Sequence, residues 1–303
     1  MWKLGLHSVS YAGVWEGQAA LTLEEFIDHA AELGYAGVML MAKRGHASLL
    51  DLTAERRRAL HQRMQDRNIE LAAIAAYTDF TAGLDRPDIP WVEMQTLYVR
   101  ECARLAHDLG GNLVRIFTGY EREALTPAQS WSRCVRAVKE CARQSAEFDV
   151  TLAVQNHHDI AVHHEAMFDF LAEVDEPNAR AGYDAWAPTL QGLSGEALKE
   201  GVRCLAPFIV QTIVADYRLQ PRFRYTPSLT NYTPVQAEAK AVPVGDGIVD
   251  YASFFAALRE VGFDGYVTFE MCSALKGGGS LPNLDRYARR FIDWMQTFQP
   301  MDR

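Results

Sequence analysis

The sequence predicts an α/β protein built as a single (β/α)8 barrel, and three observations carry that prediction. Strand-like and helix-like segments alternate along the whole chain. No Pro/Ser-rich linker divides the eight pairs, so residues 1–303 read as one domain. The G-x-G-x-x-G turn that would open a Rossmann-type sheet is missing after the first strand.

Lys3 to Ser8 is the first strand, and Thr22 with Glu25 forms a capping box at the head of the first helix. Gly34 stops that helix, and Gly37 to Met41 is the second strand. A polar loop containing Lys43 leads to a helix over Thr53 to Arg67. Ile69 to Tyr77 is the third strand, Trp91 to Leu109 the third helix and Asn112 to Thr118 the fourth strand. Thr126, Pro127 and Gln129 supply a cap, a proline at the first helical position and a glutamine at the third.

Val150 to Gln155 is the fifth strand, and a helix follows over Glu165 to Val174. Ala179 to Tyr183 is a short sixth strand, Ser194 to Leu205 the sixth helix and Ile209 to Val214 the seventh strand. Asp216 to Ile248 reads as an unusually long loop before the helix Asp250 to Val261. The eighth strand is Gly265 to Glu270, and the helix Asn283 to Phe298 closes the chain. One joint occurs twice: a helix ending in Gly, then an aromatic, then Gly and a strand, at Gly34-Tyr35 and at Gly262-Phe263.

Composition narrows the function. With 49% hydrophobic and 23% charged residues, the chain has the profile of a soluble globular protein. No secretory leader is visible and no apolar run approaches the roughly 18 residues of a membrane span, so the expectation is cytoplasmic, without a membrane partner. A net charge of −9 disfavours nucleic acid, which needs a basic face. Five cysteines, an odd number without C-x-x-C spacing, read as free thiols in a reducing compartment. No P-loop and no G-x-S-x-G motif is present, so nucleotide hydrolysis and esterase chemistry have no support.

A barrel carries its chemistry at the C-terminal ends of its strands. Those ends are His7, Met41 with Lys43, Tyr77 to Asp79, Arg115 to Thr118, Gln155 to Asp159, Asp184, Gln211 to Asp216, and Glu270. Glu270 is the one charge of its strand, placed where the strand ends.

Gln155-Asn156-His157-His158, Gly182-Tyr183-Asp184, Val210 to Asp216, Pro243 to Gly247 and Gly265 to Glu270 give the chain its likeness to a known family. It resembles the xylose-isomerase-like sugar phosphate isomerase/epimerase superfamily over essentially its whole length. The resemblance implies a sugar or polyol substrate and one divalent cation, Mn²⁺ foremost, with Mg²⁺ or Zn²⁺ as alternatives. Family members hold the cation with Glu, Asp, His and Glu on strands five to eight. In this chain those positions are Gln155, Asp184, Gln211 and Glu270, so two of the four depart from the pattern. Amide oxygens still bind hard cations, but with less charge.

The resemblance also implies a pair of glutamates moving a proton beside a carbonyl. With Gln at 155 that pair loses a member, because an amide does not exchange protons near neutral pH. Glu270 or His157 is then the expected base, with His158 the other imidazole in reach. One-base isomerisation, or dehydration and elimination as in some relatives, fits better than two-base epimerisation. A non-catalytic sugar-binding or partner subunit is the reading from another class. The endonuclease-IV-like alternative needs a His-rich three-zinc site on a basic surface, and the chain has neither. His7, Arg115, His158, Trp186, Asp216 and Arg218 are the expected substrate contacts. The basic, aromatic stretch from Tyr217 to Tyr232 reads as a lid or a subunit contact in a homo-oligomer.

Overall fold

Helix starts in the computed structural model, which describes residues 2–298, lie where the caps stand in the sequence. Thr22 and Thr126 both form complete capping boxes, with Glu25 and Gln129 as reciprocal partners, and Thr53 and Asp250 accept from the third residue of their helices. The elements run β1 (Lys3–His7), a 3₁₀ turn (Ser8–Tyr11), α1 (Leu23–Leu33), β2 (Gly37–Met41), α2 (Ala54–Asp66), β3 (Glu70–Ala75) and α3 (Trp91–Asp108). Then come β4 (Leu113–Ile116), α4 (Pro127–Ala146), β5 (Thr151–Gln155), α5 (His164–Val174), β6 (Ala179–Gly182), α6 (Trp186–Leu190), α7 (Gly195–Leu205) and β7 (Ile209–Val214). β8 (Asp216–Thr226), β9 (Asn231–Val242), α8 (Tyr251–Glu260), β10 (Tyr266–Phe269) and α9 (Leu281–Gln296) complete the chain.

Eight parallel strands close in the order β1-β10-β7-β6-β5-β4-β3-β2. The expected (β/α)8 barrel is therefore the fold. Most of the apolar core lies between strands and helices, while Met39, Ala73, Ala75 and Ile213 form a small separate cluster inside the barrel. The repeated glycine joint works as the sequence suggests. Gly34 takes φ 94° at the end of α1, and Tyr35 stacks on Phe291 while its hydroxyl donates to the Ala288 carbonyl at 2.8 Å. Among the described residues no helix is long and apolar enough to cross a membrane.

The stretch expected as a long loop is the main correction. Asp216 to Val242 folds as an antiparallel ribbon, β8 with β9, standing apart from the barrel sheet. Leu219, Phe223, Tyr225 and Tyr232 on it are exposed. Its base is fixed by Asp216, whose carboxylate accepts from the amides of Tyr217, Gly245 and Gly247 at 2.9 Å each and of Val249 at 3.4 Å. Gly247 must stay small, because a Cβ there would sit 1.9 Å from Asp216 Oδ1. The short helix α6 directly after Asp184 is a second element the sequence pattern did not show.

Candidate active site at the barrel mouth

Strand parity turns His7, Met41, Arg115, Gln155, Ile213 and Glu270 inward near the C-terminal rim, together with Asp184 just beyond β6. Asp184 is fully enclosed. Its Oδ1 accepts from the Ile213 amide at 2.6 Å and its Oδ2 from Gln155 Nε2. Asn156 locks the Asp184 backbone from both sides, donating to its carbonyl at 3.0 Å and accepting from its amide at 2.8 Å. Burial pushes the Asp184 carboxyl up to about 7, against the pull of those two donors to its oxygens.

Glu270 ends β10 with only the Cys272 thiol beside it, Sγ donating to Oε1 at 3.7 Å. Burial raises its pKa, with the Arg115 charge opposing. The thiol is in turn held protonated, first by the Glu270 charge and then by burial. Cys272 joins the site without having been expected there, and Tyr217, expected only as part of a lid stretch, packs its ring 5.8 Å from Trp186. The spacing of Cys272, two residues beyond Glu270, was the available signal for the first. Tyr217 lay in the stretch that reads as loop.

Two cations stand at the same rim, of which Arg115 acts on both acids. Arg115 is 2% exposed, and Nη1 donates to the Ala76 carbonyl at 3.0 Å. Its guanidinium carbon lies 4.0 Å from the Phe117 ring centre and 5.1 Å from that of Tyr77, and its Nε is buried without an acceptor. Lys43 sets Nζ 4.0 Å over the Tyr77 ring, and burial followed by the Arg115 charge lowers its pKa.

Two of the mouth histidines are arranged as hydrogen-bond donors. His7 Nδ1 accepts from the Val9 amide at 3.1 Å, and His157 Nδ1 accepts from the His158 amide at 2.7 Å. In the neutral ring that hydrogen-bond assignment puts the proton on Nε2, so each presents a donor. Burial holds both neutral, His7 well below its ordinary value and His157 at about 4. His157, expected as a candidate base, thus turns Nε2–H rather than a free lone pair outward in this arrangement. His158, at φ 65°, turns its ring against Phe117 and Tyr120, 4.2 and 4.1 Å between centres, with burial lowering its pKa to about 4.

The remaining expected residues divide. Trp186 packs 5.1 Å from His157, and its buried Nε1 has no acceptor, so it belongs to the mouth. Asp216, expected as a substrate contact, has both carboxylate oxygens engaged by backbone amides at the ribbon base. Arg218 lines an outer groove with Lys276, Arg286 and Arg290.

Gln211 is not level with Asp184. The register pairs it with Gly182 on one side and Tyr266 on the other, two residues before Asp184 and four before Glu270. It is fully buried, and its Nε2 donates to Met39 Sδ at 3.3 Å, among the apolar side chains inside the barrel. Ile213 holds the inward position beside Asp184. The four expected ligands thus do not form one oxygen shell, and among the described residues no three His, Cys, Asp or Glu side chains converge as a metal site would require. With Ile213 beside Asp184 and Gln211 set deeper, Asp184, Glu270 and the idle Gln155 Oε1 are the oxygens left at the rim, so the donor set fits the implied divalent cation poorly.

A cavity of about 780 Å³ opens at the opposite, N-terminal end, lined by His61, Met64, Leu71, His107 and Tyr266. That face of such a barrel serves stability, so the mouth remains the candidate site.

Fold and rim together define a (β/α)8 barrel with acids, cations and hydrogen-bond donors gathered at its C-terminal mouth. The chain belongs to the xylose isomerase-like TIM barrel family, whose model matches residues 27–298. Among solved structures it is similar to D-psicose 3-epimerase with D-tagatose from Clostridium cellulolyticum H10, with TM-score 0.75 and 15% identity over 98% of this chain and 99% of that one. It is also similar to the probable 3-DHS dehydratase AsbF from Bacillus anthracis, with TM-score 0.71 and 17% identity over 97% and 98% of the two chains. A xylose isomerase domain protein from Planctomyces limnophilus gives TM-score 0.69 and 15% identity over 98% and 96%. At these identities the likeness shows the fold alone. None of the curated proteins compared matches the sequence.

Proposed function

We propose that the chain is an enzyme that moves one proton at a carbon beside a carbonyl of a polyhydroxylated substrate, with Glu270 as the base. The observation that carries this is Glu270 itself. Its carboxylate has no ion pair among the described residues, and burial raises its pKa toward the range in which a general base works. Support for one base rather than two comes from its neighbours. Gln155 cannot exchange a proton, and His157 presents Nε2–H.

Glu270 takes the proton and either returns it to the adjacent carbon, as the neighbouring hydroxyl proton passes to the former carbonyl oxygen, or hands it to a departing hydroxyl, which leaves as water. The first outcome is aldose–ketose isomerisation, the second elimination. His7, His157 and Trp186 offer N–H donors to substrate oxygens, where charge accumulates as the proton leaves.

The test is deuterium uptake from D2O at the α-carbon, followed by NMR over a panel of ketoses and sugar acids. Wild type should exchange with at least one of them, and Glu270→Gln should lose about 10²–10⁴-fold in rate with its fold intact. Exchange that survives Glu270→Gln overturns the assignment. Ligand binding without exchange anywhere in the panel would instead make the chain a binding subunit. Elemental analysis runs beside it: a stoichiometric Mn, Mg or Zn whose chelation abolishes turnover would overturn the donor-set argument.

A further inference from the structure

We propose that the mouth recognises a carboxylate, so that the substrate is a sugar acid rather than a neutral sugar, with Arg115 and Lys43 holding the anionic group. The inference rests on the reading of the mouth as the active site and names the substrate class for it.

A buried charge is ordinarily paired. Arg115 is 2% exposed, yet among the described residues its guanidinium donates only to the carbonyl of Ala76 and has no acidic side chain within ion-pair distance, the charges of Glu270 and Asp184 reaching it only from farther off. Its buried Nε has no acceptor at all. Asp184, the nearest enclosed acid by strand order, has both oxygens committed to Ile213 and Gln155, and Glu270 meets only a thiol. Aromatic faces at Phe117 and Tyr77 hold the guanidinium in place without neutralising it, and Lys43 sits over the same Tyr77 ring, with no acidic partner among the described residues.

Around these cations the idle groups are mostly donors: Arg115 Nε, Trp186 Nε1 and the Nε2–H of His7 and His157. A neutral sugar would leave both charges unpaired. A carboxylate accepts two parallel bonds from a guanidinium fork and more from the surrounding N–H groups. A phosphate monoester shares the anionic oxygens but is bulkier and more highly charged than the Arg115 and Lys43 pair would match.

Calorimetric titration with gluconate and ribonate, with the neutral sugars glucose and ribose, and with their phosphates separates these cases. A sugar acid should bind at least about ten-fold tighter than its neutral counterpart and than the phosphate. Arg115→Gln should lose at least about ten-fold of that affinity and Lys43→Gln several-fold, with little change for neutral sugars. Arg115→Gln should also melt no lower than wild type, because it removes an unpaired buried charge, whereas a merely structural arginine would lower the melting temperature. Lys43→Gln lies on an exposed loop and tests the idea even if the other variant fails to fold. Equal binding of acid and neutral sugar, preference for the phosphate, no binding of any probe, or undiminished affinity in both variants overturns the proposal. Glu270→Gln should keep the preference for acids while losing proton exchange, so failure of the base assignment and failure of anion recognition are told apart.

Discussion

Replacing Asp184 with Asn should make the protein more stable at neutral pH, and the gain should grow as pH rises. Asp184 titrates near an ordinary 3.8 in the unfolded chain and at about 7 when folded. Between those values the folded state binds the extra proton, so wild-type stability falls as pH climbs through the window. Asn has no such proton to lose. One pKa unit corresponds to about 1.4 kcal/mol, so roughly 2 kcal/mol of difference should develop between about pH 5 and about pH 7. The site accommodates the change locally. The new amide oxygen can keep the Ile213 N–H, and its NH2 meets Gln155, whose amide turns over so that the idle Oε1 accepts. Urea denaturation of both proteins across this range measures the gap directly. A gap that is flat with pH, or that narrows on going from pH 5 to pH 7, refutes the account of Asp184 as a carboxyl lifted by burial.

Other outcomes follow from the same geometry. Nitrogen-15 spectra of the imidazoles should show His157 as the neutral Nε2–H tautomer, with no titration above about pH 5; a signal titrating near 6.5 would restore it as a candidate base. Gly247→Ala should loosen the ribbon base, since the added carbon meets Asp216, and should speed proteolytic cleavage within the Pro227–Leu229 turn while leaving the barrel's circular dichroism unchanged. Thr126→Ala should cost about 1 kcal/mol through loss of the cap on α4, read as a lower urea midpoint at unchanged slope.

The barrel was legible because its signals are local. Capping boxes at Thr22 and Thr126, the glycine after α1 and the lone acid at the end of β10 each act within a few residues of chain. The ribbon was not legible, for the opposite reason. Much of β8 and β9 is exposed, so neither strand shows a clear apolar face to read, and prolines interrupt the pattern. Pro221 falls where the register shifts between Gln220 and Arg222, a bulge that spares the pairing on either side. Gln211 shows a different limit. Parity rightly turns it inward, but its depth is fixed by pairing with Gly182 and Tyr266, residues far away in sequence. The proton on His157 is decided by a turn in which His158 adopts φ 65°, which no spacing rule reveals.

The clasp at Asp216 has a consequence for how this chain can change over time. By tying Gly245, Gly247 and Val249 to the foot of the ribbon, it closes a loop whose two ends are held independently of what lies between them. Closing such a loop costs only about 0.6 kcal/mol more for each doubling of its length. The excursion can therefore lengthen, shorten or be exchanged for another sequence while the barrel beneath it keeps the same rim. Variation in that arm is nearly free for the fold, and the residues that must stay constant are the few that fasten it.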